Sequence, residues 1–344
     1  MSGDDTPRTE AAPADTWRAA WNASPGPRTW GAAVVLALKG VAMGTANIIP
    51  GVSGGTIALI TGIYRELLSA IGAFDAALLR DMFGRRLRSA LRRIPARFLI
   101  PLGIGILGST VGIAGLMKFL LAEHAVLTWS FFFGLILASV WVVGKEVARW
   151  TPATGLLVAA GTALAYWVVG LIPVETPEAW WFVLFCGAVA MCAMILPGLS
   201  GSFLLVILGK YEFVLAAVEH PFTREHALRL GVFLVGAVAG ILSFARLLEW
   251  CLKRFYSQTM AVLMGLMIGA LRKIWPWKDV LETRRISSKT FEWTTNVLPE
   301  QFDASVAAAL GVLVAGFVLV LVMERVAART ADTVTPPPAP VDEN

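Results

Sequence analysis

Apolar stretches of membrane-crossing length recur along the chain from Trp30 to Met323. A hydrocarbon core of roughly 30 Å takes about 20 helical residues. The first apolar stretch, residues 30–71, is about twice that length and has Pro50-Gly51 near its centre. It must therefore double back as a helical hairpin, which either crosses the membrane fully or re-enters from one side.

Further apolar segments have the length of single spans. A second interrupted stretch, residues 180–218, predicts another hairpin midway along the chain. The polar residues 1–28 and 326–344, both containing prolines, predict disordered cytoplasmic tails. The predicted single spans are residues 98–121, 129–144, 154–173, 228–250, 257–274 and 304–323.

The two hairpins carry the same sequence pattern. "AMILPGLSGSFLLVILGKY" (Ala193 to Tyr211) aligns with "ANIIPGVSGGTIALITGIY" (Ala46 to Tyr64) at a constant offset of 147 residues. Chance matches in an apolar composition would involve Leu, Val and Ala, whereas here Pro, Gly, Ser and Tyr coincide in register. The chain therefore contains an internal repeat.

Each repeat consists of one hairpin followed by three spans, over residues 29–176 and 177–325. A hairpin returns to its own side of the membrane and three spans do not, so the second repeat begins on the opposite face. The predicted fold class is therefore an all-α polytopic membrane protein with two inverted repeats. Each repeat is a broken or re-entrant helical hairpin plus three transmembrane helices.

Charge agrees with this topology at most positions. Residues 75–97 carry seven arginines and two aspartates among apolar residues. This pattern predicts an amphipathic basic helix at the cytoplasmic interface, where anionic lipid attracts it. The basic segments 144–149, 251–255 and 324–329 also fall inside, as do both termini. The mixed-charge loop 275–302 falls outside, and its basic residues are the point where charge and topology disagree.

Composition supports the membrane class and excludes others. Of the 344 residues, 57% are hydrophobic and 15% are charged, whereas about a quarter are charged in soluble domains. The mean hydropathy is +0.69. The net charge of +5 comes from local clusters that bear on topology, so no nucleic-acid partner is predicted. The three cysteines have no metal-binding spacing, and neither a cofactor nor a metal site is predicted.

The repeated motif has the chemistry of a broken helix. Proline ends the backbone bonding of the preceding turn and glycine tolerates unusual dihedral angles, so helix breaks are expected at Pro50-Gly51 and Pro197-Gly198. The next helix would begin with N–H and hydroxyl donors, which favour an anion such as phosphate. Close packing by small residues is the alternative, but two helix-breaking copies favour a transport site. The predicted phosphate-binding residues are Ser53, Gly54, Gly55, Thr56, Ser200, Gly201 and Ser202.

Two cations are predicted to join this anion site. Lys39 lies within the first apolar stretch, and Arg246 lies within the span 228–250. For Lys39 the alternative is snorkelling to the cytoplasmic interface. No His, Asp or Glu lies inside either motif, so no nucleophile or general base is predicted there. The charges at the hairpin ends are predicted to be interfacial or locally paired: Arg65, Glu66, Lys210 and Glu212.

Three stretches together resemble a known family of bacterial membrane proteins. "GTANIIPGVSGGTIALITGIYREL", "CAMILPGLSGSFLLVILGKYE" and "LMGLMIGALRKIWPW" are similar to the PopT-type polyprenyl-phosphate transporters, and the resemblance covers residues 30–325. It implies a non-enzymatic flippase that returns undecaprenyl phosphate from the outer to the inner leaflet of the plasma membrane. The recovered carrier lipid would then re-enter the synthesis of peptidoglycan and other envelope polymers.

Other functions remain open on the residues alone. A polyprenyl-diphosphate phosphatase would also use inverted re-entrant hairpins, although the missing buried acid or histidine argues against it. A small-anion channel or exchanger is a third hypothesis, because helix ends also bind chloride. The expected partners are the polyprenyl phosphate and plasma-membrane lipids, and a proton or sodium gradient is left open as the driving force.

Overall fold

Helices make up most of the chain in the computed structural model, which describes residues 16–49, 52–84, 86–172, 174, 176–219, 223–286 and 289–332. In chain order the elements are α1 (Trp17–Ala23), α2 (Trp30–Ile48), α3 (Gly54–Ile60), α4 (Tyr64–Gly72), α5 (Ala76–Phe83), α6 (Leu87–Arg93), α7 (Ala96–Gly112), α8 (Ala114–Glu123), α9 (Ala125–Lys145), α10 (Pro152–Val168), α11 (Trp180–Ile195), α12 (Gly201–Ile207), α13 (Tyr211–Glu219), α14 (Arg224–Arg254), α15 (Tyr256–Ala270), β1 (Lys278–Ile286), β2 (Lys289–Asn296) and α16 (Ala304–Asp332).

Several of these helices are long and apolar enough to cross a membrane. Within the described residues, four qualify singly: α2, α9, α14 and α16, the last as far as Arg325. The number rises to six if two bent pairs each count as one span, α6 with α7 (73°) and α12 with α13 (116°). The predicted class, a helical polytopic membrane protein, is confirmed.

The helices pack in pairs through small residues. α2 packs on α7, α11 on α14, α9 on α16 and α10 on α15. A Cβ at Gly105 would lie 2.0 Å from the Ala37 carbonyl oxygen, and one at Gly236 would lie 2.0 Å from that of Leu184. Glycine therefore sets the close approach in the α2–α7 and α11–α14 pairs, as is usual between membrane helices.

The internal repeat is present in the backbone as well as in the sequence. The bounds of α3 and α12, and those of α4 and α13, coincide at the offset of 147 residues. The turns after the short helices are also alike, with Ile63 N–H donating to Ala58 O (3.0 Å) and Lys210 N–H to Leu205 O (2.8 Å). Suppose that α2 corresponds to α11, α7 to α14, α9 to α15 and α10 to α16. Exchanging the halves then converts the α2–α7 pair into α11–α14 and the α9–α16 pair into α15–α10, so the same four packed pairs result. The opposite membrane orientation of the halves stays a prediction.

Four segments differ from the predictions. The predicted span 98–121 is divided between α7 and α8. The predicted amphipathic helix 75–97 is divided between α5, α6 and the first turn of α7, and Gly84 is the C-cap of α5. The described part of the predicted N-terminal tail contains α1, which Ser24 Oγ ties to Ile94 O (2.8 Å). The predicted loop 275–302 contains the antiparallel strands β1 and β2, whose β-branched and aromatic residues fit a ladder.

Candidate functional site

The two copies of the repeated motif touch each other. Ser53 Oγ donates a hydrogen bond to Met194 O (3.3 Å), and Tyr64 Oη donates one to Ile195 O (3.2 Å). Gly198 N–H donates to Thr56 Oγ1 (3.1 Å). Residues 52–56 and 194–202 thus form one contact region, called the motif junction below. The predicted breaks at Pro50 and Gly51 lie outside the described residues.

The first motif turn is filled by the protein's own groups. Asn47 Oδ1 accepts from Gly54 N–H (2.8 Å), and Ser53 Oγ accepts from Gly55 N–H (3.1 Å). The Ser53 and Thr56 side chains are buried. In this conformation the donors predicted for phosphate are bonded internally, and the first turn forms a rigid wall of the junction. The amide of Asn47 supplies a cap that the second copy lacks, since Met194 stands at the matching position.

The second motif turn is more open. Ser200 is the N-cap of α12 but makes no side-chain capping bond. Its hydroxyl lies 3.0 Å from that of Ser202, whose side chain is exposed. Gly198 has φ +84°, which favours glycine, and a Cβ there would lie 2.9 Å from Ala270 Cβ. A tight glycine turn therefore presents two neighbouring hydroxyl groups at the open side of the junction.

Lys273, which sequence reasoning missed, lies beside this second turn. It follows α15, whose Leu266 and Met267 contact Gly198, and its Nζ is 4.8 Å from the ring centroid of Phe203. The available signal was the Arg-Lys pair that ends the apolar "LMGLMIGAL" stretch. Arg272 donates to Tyr166 O (3.1 Å), so of the two cations it is Lys273 that approaches the repeated motif and is the candidate partner of an anion there.

The base of the β1–β2 hairpin fixes the backbone around Lys273. Lys278 Nζ donates to Lys273 O (2.7 Å), and Asn296 Nδ2 donates to Arg272 O (2.9 Å). Trp275 Nε1 donates to Val297 O (2.8 Å) across the same base. The carbonyl groups that end α15 are thereby satisfied by the hairpin, which orients the Lys273 segment.

The two predicted cations bind elsewhere. Lys39 Nζ donates to Thr61 O (2.7 Å) at the C-terminal end of α3, about 10 Å from Ser53 by the rise of a seven-residue helix. Arg246 Nη2 donates to Phe74 O (2.9 Å) beyond the end of α4. Their described hydrogen bonds satisfy helix C-terminal carbonyls, which attract cations. Direct contact of either cation with phosphate stays a prediction.

Arg246 also contributes to the electrostatics beside the basic segment. The Leu78 N–H, and after it the Arg93 and Arg246 guanidinium groups, hold the pKa of the Asp75 carboxyl below its ordinary value. Asp75 caps α5 through that Leu78 hydrogen bond (2.7 Å). The carboxylate therefore stays ionised at neutral pH and links the end of α4 to the start of α5.

Each half places one ammonium near the end of its short helix, from different sequence positions: that of Lys39 is half-buried and that of Lys210 is buried. In the repeat alignment, Lys39 matches Cys186 and Ile63 matches Lys210. Lys210 Nζ donates to Thr176 O (2.9 Å), and its charge interacts with the Cys186 thiol. Lys210 thus lies near Cys186, the residue that replaces Lys39 in the second half. The two halves therefore share the position of an ammonium group in space, although the lysines are at different positions of the repeat.

Moving the lysine within the first half tests this equivalence. Lys39→Cys is expected to destabilise the protein by about 1–3 kcal/mol, because the buried Thr61 carbonyl loses a charged donor. Lys39→Cys combined with Ile63→Lys copies the second half and is expected to recover most of that loss. Thermal unfolding in detergent measures both, with Ile63→Lys alone as the control. A double variant no more stable than the sum of the two single effects would contradict the equivalence.

The polar side chains of the junction are the hydroxyl groups of serine and threonine, and Asn47 and Tyr64 border it with an amide and a phenol. Such groups can donate hydrogen bonds to an anion. Among the described residues, no group of three or more His, Cys, Asp or Glu is arranged to hold a metal ion. His124 lies at the end of α8 and His226 in the first turn of α14, outside the junction.

The proteins to which the chain is similar are named for one class of lipid, the polyprenyl phosphates. A protein-family model described as undecaprenyl phosphate translocase-like matches residues 43–292. A polyprenyl-phosphate transporter of Vibrio cholerae is 42% identical over 300 residues, covering 85% of this chain and 96% of that protein. One of Staphylococcus aureus is 28% identical over 257 residues, covering 70% of this chain and 85% of that protein. No solved structure matches the chain. The matched region contains the motif junction and Lys273.

Proposed function

Since the chain belongs to the undecaprenyl phosphate translocase-like family, we propose that it carries polyprenyl phosphate across the bacterial plasma membrane. The lipid is undecaprenyl phosphate, and the direction is from the outer to the inner leaflet, for reuse in envelope-polymer synthesis. Both termini lie in the cytoplasm. The observation that supports this most is the contact between two motif turns that are 147 residues apart in sequence.

The substrate sets a simple physical problem. Its isoprenoid tail can stay in lipid throughout, whereas its phosphate must cross the apolar core. The effective penalty for desolvating an ion is several kcal/mol unless the ion is paired and hydrogen-bonded. A passage for this lipid needs hydroxyl or N–H donors and a cation at the membrane interior, and it needs a side opening for the tail.

The motif junction and the neighbouring Lys273 supply the donors and the cation. In the proposal, the Ser200 and Ser202 hydroxyl groups donate to the phosphate oxygens, and the Lys273 ammonium offsets the charge. Charge-assisted hydrogen bonds of this kind are shorter and stronger than neutral ones. The first turn does not bind the phosphate in this conformation, because its N–H donors are already bonded to Asn47 and Ser53. It packs against the second turn and positions it. Phosphate contacts by residues of that turn would require a second conformation.

The repeat supplies a mechanism for alternating exposure. Two inverted halves that meet at one site can open it in turn to each leaflet when one half rocks against the other. In this chain the junction bonds between α3 and the end of α11 would break and reform in each cycle. Lys39 attaches the end of α3 to α2 of the same half, whereas Lys210 attaches the end of α12 to Thr176, the last residue of the first repeat.

A transporter accounts for the site better than an enzyme does. The junction side chains are not carboxylates or imidazoles, the groups that a phosphatase would use to activate its nucleophile. Both relatives are named as transporters. The proposal is therefore a lipid carrier with no covalent step and no cofactor.

Reconstitution tests the proposed function directly. Purified protein in liposomes is expected to move a fluorescent short-chain polyprenyl phosphate between leaflets, so that a membrane-impermeant quencher reaches a growing fraction of the label. Protein-free liposomes and a fluorescent prenol without phosphate are the controls. Imposing proton and sodium gradients separately identifies the driving ion. A rate equal to that of protein-free liposomes under every gradient would overturn the proposal.

A further inference from the structure

A second polar cavity lies between α4 and α14, away from the motif junction. Its volume is about 200 Å³. Arg65 and Leu68 line it from α4, and Glu249, Leu252 and Lys253 line it from α14. Leu68 and Leu252 are buried, so the cavity combines an apolar floor with charged walls. The sequence predicts Arg65 to be an interfacial charge or part of a local ion pair.

Arg65 is held in place without being neutralised. Its guanidinium carbon lies 4.7 Å from the ring centroid of Tyr256, and Tyr256 Oη donates in turn to Glu146 Oε2 (2.5 Å). None of the ion pairs among the described residues involves Arg65. Stacking leaves the N–H groups of an arginine free to bind a phosphate in its plane.

The opposite wall carries a paired lysine. Lys253 Nζ lies 2.7 Å from Glu249 Oε1, one helical turn away. With two cations and one carboxylate, the lining has a net charge of +1, which attracts a phosphate but holds it weakly. Glu249 also competes with a bound phosphate for Lys253. Both features suit a site from which the ligand must leave.

The cavity is joined to the motif junction through consecutive residues of α4. Tyr64 bonds to Ile195 O in the junction, and Arg65, the next residue, faces the cavity. The other end of α4 meets Arg246 and leads into the basic helices α5 and α6. In the proposed topology this is the cytoplasmic side, so the cavity lies between the junction and the inner leaflet.

We propose that this cavity is a second binding site for a phosphate monoester, in which the lipid head is held by Arg65 and Lys253 before release into the inner leaflet. The inference rests on the proposed function of the motif junction. Leu68 and Leu252 contact the first isoprene unit, which distinguishes the lipid from free phosphate. Glu249 displaces the phosphate from Lys253 and so keeps the site weak.

Binding to the purified full-length protein in nanodiscs tests this site, with farnesyl phosphate as the probe. Arg65→Gln and, separately, Lys253→Gln are each expected to raise the dissociation constant about tenfold, the effect of losing one charge-assisted hydrogen bond. Glu249→Gln is expected to tighten binding. Arg254→Gln, which removes an adjacent cation outside the cavity, is the matched control and leaves binding unchanged. Size-exclusion profiles establish that each variant is folded.

Combining variants distinguishes phosphate binding at the cavity from phosphate binding at the motif junction. The variant Ser200→Ala/Ser202→Ala/Lys273→Gln is expected to retain farnesyl phosphate binding, and adding Arg65→Gln to it is expected to raise the dissociation constant about tenfold. Unchanged affinity in Arg65→Gln and Lys253→Gln overturns the cavity site, and wild-type lipid movement in liposomes would still stand. Arg65-dependent binding without lipid movement overturns the proposed function alone. Inorganic phosphate binding as tightly as farnesyl phosphate would overturn a lipid ligand.

Discussion

Gly55→Ala is expected to reduce lipid movement to the protein-free rate. A Cβ at residue 55 would lie 2.3 Å from Ile195 O and 3.2 Å from Ser53 Oγ. The first of these atoms is backbone at the end of α11, and the second already bonds Gly55 N–H. Neither can withdraw without opening the motif junction, so the extra methyl group separates the two motif turns. Forcing one carbon into a packed contact typically costs about 1–3 kcal/mol.

A glycine with free space around it provides the control for this substitution. Nothing lies within 4 Å of a Cβ added at Gly108 in α7, and alanine is a better helix former than glycine. Gly108→Ala is therefore expected to keep wild-type movement and to match or exceed wild-type thermal stability. If Gly55→Ala moved lipid at the wild-type rate in the same liposomes, the junction would not be the passage.

Lys273→Gln is expected to lower lipid movement by about tenfold or more, since the phosphate would lose its charged partner at the second turn. Lys273→Arg keeps the charge and is expected to retain most of the activity. The measurement is the rate of movement at several lipid concentrations, which separates weaker binding from slower transfer. A lysine that only anchors α15 against Phe203 would instead lower thermal stability without changing the concentration dependence.

The control for Lys273→Gln is a lysine on an apolar helix that has no described contact with the motif junction. Lys118 in α8 is exposed and lies outside the motif junction. Lys118→Gln is expected to leave the rate of lipid movement unchanged. Equal losses in the Lys118 and Lys273 variants would mean that net charge, and not a specific phosphate contact, controls movement.

The helical class and the repeat were predictable because they depend on local sequence. Membrane spans follow from the length of apolar stretches, and the motif repeats proline, glycine, serine and tyrosine in register. The bounds of α3 and α12 therefore appear where the offset of 147 places them. That the two motifs form halves of one site was an inference from the repeat, and their contact supports it.

The cation of the site was not predictable in the same way. Lys39 and Arg246 stand out in sequence because they interrupt apolar stretches, but their hydrogen bonds are made to helix C-terminal carbonyls. Lys273 is 71 residues from Ser202, and only the packing of α15 on Gly198 brings it beside the second turn. The order of residues along the chain marks Lys273 as a cation at the end of an apolar stretch but does not show that it lies beside the second turn.

The missed elements share another cause, which is that their stability comes from tertiary contacts. α1 is a helix of seven residues that is attached through Ser24 and Arg88, and the Arg88 guanidinium carbon lies 5.5 Å from the Trp17 ring centroid. The strands β1 and β2 carry mixed charge, which resembles a loop. Their base is attached through Trp275 and Asn296.

The β1–β2 hairpin connects a segment outside the membrane, in the proposed topology, to the backbone at Lys273. Its base bonds the carbonyl groups of Arg272 and Lys273 directly, and in the proposed topology it projects from the outer surface of the cell. An antibody fragment bound to these strands is therefore expected to shift the Lys273 segment and, under the proposed function, to slow lipid movement in liposomes.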